Sequence, residues 1–179
     1  MTEPDTNPPR PRRLLGWLIN LALILAVFLG VQWWMARPLA TGEAPPLIGR
    51  TLDGRTLDGQ TLDLRDLRGQ TVLVHFWATW CPICKLGNGA IDAIAKDYRV
   101  LTVALQSGGA ADIHDFMTTQ GLGFLTIPDE DGAISSRWGV QGVPASFVIA
   151  ADGQIDYAAR GLSTETGLRA HLWAATHGH

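Results

Sequence analysis

The two cysteines of this chain, Cys81 and Cys84, lie between an apolar run and a helix-like segment, and they are the only cysteines in 179 residues. Residues 72–76 have the length and composition of a buried strand, and apolar residues at helical spacing follow the second cysteine. This pattern places the first sulfur at a helix N-terminus, where unpaired N–H groups and the positive end of the helix dipole favour a thiolate. Cys81 is therefore predicted to be the nucleophile and Cys84 the resolving thiol.

Two other interpretations of the Cys-x-x-Cys spacing compete with a reactive dithiol. The same spacing supplies half of many zinc sites, but zinc would need two further ligands and no second cysteine pair exists. A purely structural disulfide would close a very short loop and would remove little entropy from the unfolded chain. The reactive dithiol is favoured, and neither a metal nor another cofactor is predicted. The five histidines are scattered without finger-like spacing: His75, His114, His171, His177 and His179.

A long apolar segment lies near the N-terminus. No residue from 14 to 36 is charged, and such a run is long enough to cross a bilayer core of ~30 Å as a helix. Arg10, Arg12 and Arg13 precede the segment, whereas only Arg37 follows closely, which puts the N-terminus in the cytoplasm by the positive-inside rule. A cleavable signal peptide is the alternative, but its apolar region is normally shorter and no clear small-x-small site follows.

The predicted organisation is a membrane-anchored domain outside the cytoplasm. Residues 1–13 are predicted as a cytoplasmic tail, 14–36 as a transmembrane anchor, 37–46 as a linker and 47–179 as one periplasmic domain at the bacterial inner membrane. The formal net charge of −3 offers no basic surface for nucleic acid.

Secondary-structure patterns in the outer part predict an α/β domain. The segment 51–63 repeats Thr-Leu-Asp, and its two Asp-Gly pairs are hairpin-turn signals. The helix that begins at Cys81 contains Gly87 and Gly89, which weaken it and suggest a kink or a close approach. The full order is βαβα followed by ββα, which predicts a mixed central sheet flanked by helices. The later elements are a strand at 100–105, a helix at 111–120 ending at Gly121, strands at 145–150 and 155–160, and a closing helix capped by Ser163.

Two motifs resemble the thioredoxin superfamily: Phe76-Trp77-Ala78-Thr79-Trp80-Cys81-Pro82-Ile83-Cys84, and Gly142-Val143-Pro144 before a strand. The N-terminal hairpin and the single anchor are similar to the TlpA-like branch of bacterial thiol-disulfide oxidoreductases, and within it to the ScsD-like group, named for suppression of copper sensitivity. The resemblance implies a thioredoxin-like fold with an N-terminal β-hairpin extension. It also implies thiol-disulfide exchange with protein substrates and an inner-membrane electron donor as partner.

The same resemblance assigns roles to residues around the cysteines. It implies that Pro144 follows a cis peptide bond and that Val143 presents its backbone to a substrate peptide. Trp80, Pro82 and Ile83 would border the site and contact the substrate.

Two positions depart from the family pattern. His75 stands where thioredoxins have a buried aspartate, so it is predicted to relay a proton to or from Cys84; a packed histidine without a catalytic role is the alternative. Gly87 stands where relatives in cytochrome c maturation carry an acidic residue, which argues against haem-protein thiols as a dedicated substrate.

The expected activity is reduction of substrate disulfides by the Cys81/Cys84 dithiol. The intervening Pro-Ile dipeptide lacks a histidine that could strongly stabilise the Cys81 thiolate, which favours a reductant over an oxidant. The alternative from another class is a redox-inert thioredoxin-like binding or copper-handling module.

Overall fold

The computed structural model describes residues 11–35, 38–54 and 59–178, in two units that comprise residues 1–37 and 38–179. The described part of the first unit is a single helix, α1 (Pro11–Met35), which begins before the predicted start at residue 14. Residues 1–10 of the predicted tail lie outside the described residues. Within the described part of the chain, no helix combines the length and the apolar character that a membrane crossing requires. The transmembrane helix predicted at 14–36 is therefore not confirmed.

The described residues of the second unit form eight strands, four α-helices and a 3-10 helix at Leu64–Leu67. The strands are β1 (Gly42–Glu43), β2 (Ile48–Arg50), β3 (Thr61–Asp63), β4 (Val72–Trp77), β5 (Arg99–Leu105), β6 (Leu125–Asp129), β7 (Ala145–Ile149) and β8 (Gln154–Arg160). The helices are α2 (Pro82–Ile94), α3 (Ala110–Gln120), α4 (Ala133–Arg137) and α5 (Glu165–His177).

Six of these strands form one mixed sheet in the order β1-β8-β7-β4-β5-β6. Strands β4, β5 and β6 are parallel, and β7 runs antiparallel to β4. The parallel pairs are joined through α2 and α3, and helices cover the sheet, so the predicted thioredoxin-like α/β fold is confirmed.

Strand β6 was missing from the predicted order, which went directly from α3 to the final ββα unit. The strand is short and contains Pro128, and a proline within an apolar run argues against a central strand. Because β6 lies at the edge of the sheet, only β5 pairs along its length, and its other side is bonded at Thr126 to Leu52, so the absent N–H of Pro128 is tolerated.

The N-terminal hairpin extension is formed by β2 and β3, which pair with Ile48 opposite Asp63. The third repeat unit provides β3, whereas the first unit leaves the hairpin, and Leu52 forms an isolated bridge to Thr126 of β6. Residues 55–58, which contain most of the second unit, lie outside the described residues. The extension is thereby attached to the edge of the main sheet.

Two boundaries differ from the prediction. Residues 42–43, assigned to the linker, form β1 and pair with β8. The closing helix is capped by Thr164 and not by Ser163: the Thr164 Oγ1 accepts a hydrogen bond from the backbone N–H of Gly167 at 3.2 Å. The sequence offers two adjacent hydroxyl residues, and only the one immediately before the first helical residue can reach that N–H group.

The alternation of side chains along β4 divides the core into two layers. Leu73 and Trp77 belong to the layer that contains both cysteines and the buried faces of α2, α3 and α5. Val72, Val74 and Phe76 belong to the opposite layer. Because strand residues two apart share a face, His75 lies on the same side of the sheet as Leu73, Trp77 and the cysteines.

The two glycines of α2 differ in their surroundings, which generates a stability prediction. A Cβ at Gly89 would meet no atom within 4 Å, whereas a Cβ at Gly87 would lie 2.9 Å from Leu162 Cδ1. We expect Gly89→Ala to raise the free energy of unfolding by about 0.5–1 kcal/mol, because alanine is the better helix former. Gly87→Ala should gain less, because Leu162 has to move. Urea denaturation of both variants tests this, and an equal gain would show that the Gly87–Leu162 approach is unimportant.

Candidate active site

Cys81 and Cys84 form a disulfide at the start of α2, with their Cα atoms 5.3 Å apart. Cys81 is the N-cap residue, and its sulfur accepts a hydrogen bond from the backbone N–H of Cys84 at 3.1 Å. Pro82 occupies the first helical position, where its missing N–H costs no hydrogen bond. The Cys84 N–H group and the helix dipole favour negative charge on the Cys81 sulfur once the disulfide is reduced.

The loop before β7 places backbone beside the disulfide. The Val143–Pro144 peptide bond is cis, the geometry that the resemblance implies. The Val143 carbonyl oxygen lies 3.7 Å from the Cys81 sulfur. Val143 is half-buried and Pro144 is buried, so the backbone next to Cys81 is held firmly by the core. The predicted substrate-binding pair therefore lies directly against the predicted nucleophile.

Trp80 lies immediately before the disulfide and is held by the loop that follows β5. Its side chain is 56% exposed, and its indole N–H donates a hydrogen bond to the Gln106 carbonyl oxygen at 3.1 Å. Gln106 has a left-handed φ of 43°, and the neighbouring Ser107 Oγ accepts a hydrogen bond from the Thr79 N–H at 3.0 Å. These two bonds fix the active-site turn, so Trp80 presents a partly exposed ring next to Cys81.

His75 lies on β4, on the cysteine side of the sheet, and is only 5% exposed. Its Nδ1 lies 2.9 Å from the Ser146 Oγ, a residue directly opposite on β7. Burial lowers the pKa of His75 to about 4, because desolvation disfavours the imidazolium. The side chain is therefore neutral at neutral pH, and it can donate or accept one hydrogen bond through each ring nitrogen according to its tautomer.

A small cavity of about 10 Å³ connects His75 with the second cysteine. Its lining includes His75, Ser146, Cys84, Gly87 and Leu162. This volume is about enough to hold one water molecule. The structure thus brings His75 and Cys84 to the same cavity.

Exposed apolar side chains lie close to the disulfide, on α2 and on the segment that follows β8. Ile83 is 52% exposed, and Leu86 and Leu162 lie on the neighbouring surface with still larger exposed fractions. Lys85 points to a different partner, with its ammonium 5.5 Å from the centroid of the Phe116 ring. The surface next to the dithiol therefore carries exposed apolar side chains, which suit contact with another protein.

Several residues that surround the site were not identified from the sequence. Ser146 is the one polar side chain in the buried strand β7, and a polar residue in such a strand signals a buried hydrogen-bond partner. Gln106 gives no such signal, since a left-handed φ at a residue other than glycine is not readable from sequence. Among the described residues, no group of three or more His, Cys, Asp or Glu side chains is placed to hold a metal ion.

A thioredoxin-like fold with a dithiol at a helix N-terminus and a cis-proline beside it defines a thiol-disulfide oxidoreductase. Residues 43–158 match the AhpC/TSA family, and the chain belongs to this family. A thioredoxin-like protein of Haemophilus influenzae is 34% identical over 63% of this chain and 74% of its own length. The thiol:disulfide interchange protein DsbE of Pseudomonas aeruginosa is 29% identical over 80% of this chain and 82% of its own length.

A solved structure gives the same result for the fold. A crystal structure described as a thiol:disulfide interchange protein DsbE from Chlorobium tepidum superimposes with a TM-score of 0.64 and 27% identity. The match covers 77% of this chain and 99% of that one. The chain is accordingly a thiol-disulfide oxidoreductase, and proteins are the plausible partners for its dithiol.

The burial of His75 generates a prediction for stability against pH. The folded pKa of about 4 lies below the unfolded value of about 6.5, so the unfolded chain binds more protons between these values. The stability due to neutral His75 is complete above pH 6.5 and is lost as the pH falls towards 4. Between pH 7.5 and pH 5 we expect this group to cost the oxidised protein about 2 kcal/mol, a loss that His75→Asn should abolish.

Urea denaturation at the two pH values measures this difference. The control variant His177→Asn, at an exposed position, should retain the wild-type decrease, because it leaves the buried His75 in place. An unchanged decrease in His75→Asn would contradict a buried, neutral His75.

Proposed function

We propose that this thiol-disulfide oxidoreductase acts outside the cytoplasm as a reductant of disulfides in other proteins. The observation that carries the proposal is the position of Cys81. Its sulfur caps α2 by accepting a hydrogen bond from the Cys84 N–H group, and it lies 3.7 Å from the Val143 carbonyl oxygen. A reactive sulfur beside a fixed stretch of backbone suits attack on a disulfide within a polypeptide.

The proposed reaction has two exchange steps. The Cys81 thiolate attacks one sulfur of the substrate disulfide, forms a mixed disulfide and releases the other substrate sulfur as a thiolate, which takes up a proton. Cys84 then loses its proton and attacks the Cys81 sulfur, so that the Cys81–Cys84 disulfide forms and the second substrate sulfur leaves. Overall the substrate gains two electrons and two protons. In this scheme Val143 and Pro144, with Trp80, Pro82 and Ile83 around them, hold the substrate segment.

His75 is proposed to act on the protonation of Cys84. Cys84 is 1% exposed, and burial disfavours a thiolate, so the second step needs a polar group near its sulfur. His75 supports this role because it lines the same small cavity and is itself buried.

Anchoring at the bacterial inner membrane, with the catalytic part in residues 47–179 on the periplasmic side, is also part of the proposal. It is supported by the uncharged sequence of residues 14–36 and by the arginines that precede it. In an oxidising compartment a reductant has to be recharged, so a thiol-disulfide protein of the inner membrane is the proposed electron donor.

The catalytic assignment is tested by Cys81→Ser. We expect the full-length variant to lose reduction of insulin disulfides by dithiothreitol-coupled turnover, because serine cannot form the mixed disulfide. Retention of the wild-type rate would show that the assignment is wrong, and it would favour the alternative of a redox-inert binding or copper-handling module.

The direction of electron flow is tested by equilibrating the protein with glutathione redox buffers. A reductant should have a potential nearer to about −270 mV than to the about −120 mV of a strong disulfide oxidant. A potential near the latter value would reverse the proposed direction without affecting the assignment of Cys81.

A further inference from the structure

We propose that Ser146 is a positioning residue that fixes the tautomer of His75 and thereby makes His75 a hydrogen-bond donor to the Cys84 thiolate. This inference rests on the proposed function, because it specifies how His75 acts on Cys84. It assigns a role to a serine that lies one position after the alanine that follows the cis-proline.

The Ser146 hydroxyl donates the hydrogen bond in its pair with His75. The residue is fully buried, and His75 Nδ1, at 2.9 Å, is the hydrogen-bond partner that the structure gives its Oγ. A buried hydroxyl hydrogen without an acceptor is costly. The Ser146 O–H is therefore the donor in this pair, and Nδ1 of His75 is the acceptor.

This hydrogen bond decides which nitrogen of His75 carries the ring proton. A neutral imidazole carries one proton, and an Nδ1 that accepts a hydrogen bond cannot carry it. The proton is then on Nε2. Because Nδ1 is occupied by Ser146, Nε2–H is the donor that His75 has left for a partner in the cavity that it lines.

The Nε2–H donor of His75 acts on Cys84. Among the described residues that line the cavity, the titratable groups are His75 and Cys84, and Lys85, the neighbour of Cys84, faces the Phe116 ring instead. The Nε2–H group, acting through a water molecule for which the cavity has room, stabilises the thiolate over the thiol. A carboxylate at this position could accept a proton but, when ionised, could not donate.

The chemical step balances without a further reactant. Cys84 gives up its proton, which is finally taken by the departing substrate thiolate. The bond between Cys81 and the substrate sulfur breaks, and the bond between Cys81 and Cys84 forms. His75 keeps its proton throughout and only donates a hydrogen bond.

Two variants of Ser146 and one matched control test the inference. In full-length Cys81→Ala protein, Ser146→Ala should raise the pKa of the Cys84 thiol by about one unit, a tenfold loss of thiolate at neutral pH. In protein with both cysteines it should slow resolution of a preformed mixed disulfide about tenfold, with formation of that disulfide unchanged. Ser146→Thr, which keeps a hydroxyl, should restore both values. Ser135→Ala, at a buried serine whose hydroxyl has no partner in the structure, should change neither.

The tautomer can be observed directly by nitrogen NMR of the imidazole. We expect protonated Nε2 and unprotonated Nδ1 for His75 in wild type, and a mixture of tautomers in Ser146→Ala. Protonated Nδ1 in wild type, or an unchanged Cys84 pKa in Ser146→Ala, would overturn the inference. If His75→Ala still raises the Cys84 pKa, only the role of Ser146 fails; if it does not, the proposed role of His75 fails as well.

Discussion

Strand β4 is hydrogen-bonded on both edges, by β5 and by β7, and all six of its residues are buried. Its alternating side chains fill both core layers, and each large apolar side chain buried there contributes roughly 1.5–3 kcal/mol. The active-site turn starts where this strand ends, so its position is fixed by the core. The same strand carries His75, and the pairing with β7 brings Ser146 beside it. The active-site turn and His75 therefore both depend on a single buried strand.

The polar groups described near the two sulfurs are neutral dipoles. The N-terminus of α2 supplies the polar environment of Cys81, whereas the neutral pair His75 and Ser146 lies near Cys84. Burial lowers the pKa of His75, so that its side chain is neutral and places no positive charge beside the dithiol at neutral pH.

Sequence patterns were sufficient where one local rule decides the structure, and insufficient where tertiary contacts decide it. The strand-to-helix step at Cys81 and the end of α3 at Gly121 follow from hydrophobic periodicity and glycine conformation. Strand β6 was missed because Pro128 signals a break, and only its place at the sheet edge makes the proline acceptable. The partner of His75 could not be read either, because the pairing of two strands 71 residues apart sets it.

The central claim is that Cys81 is the sulfur that exchanges with substrate and that Cys84 resolves the product. The most direct measurement is mass spectrometry of the adducts formed when reduced Cys84→Ala and reduced Cys81→Ala react with the same model peptide disulfide. Cys84→Ala should form a stable mixed disulfide through Cys81 quickly, because that sulfur caps the helix beside Val143. Cys81→Ala should react far more slowly, since Cys84 lies deeper in the core. Equal rates in the two variants, or faster reaction at Cys84, would contradict the account.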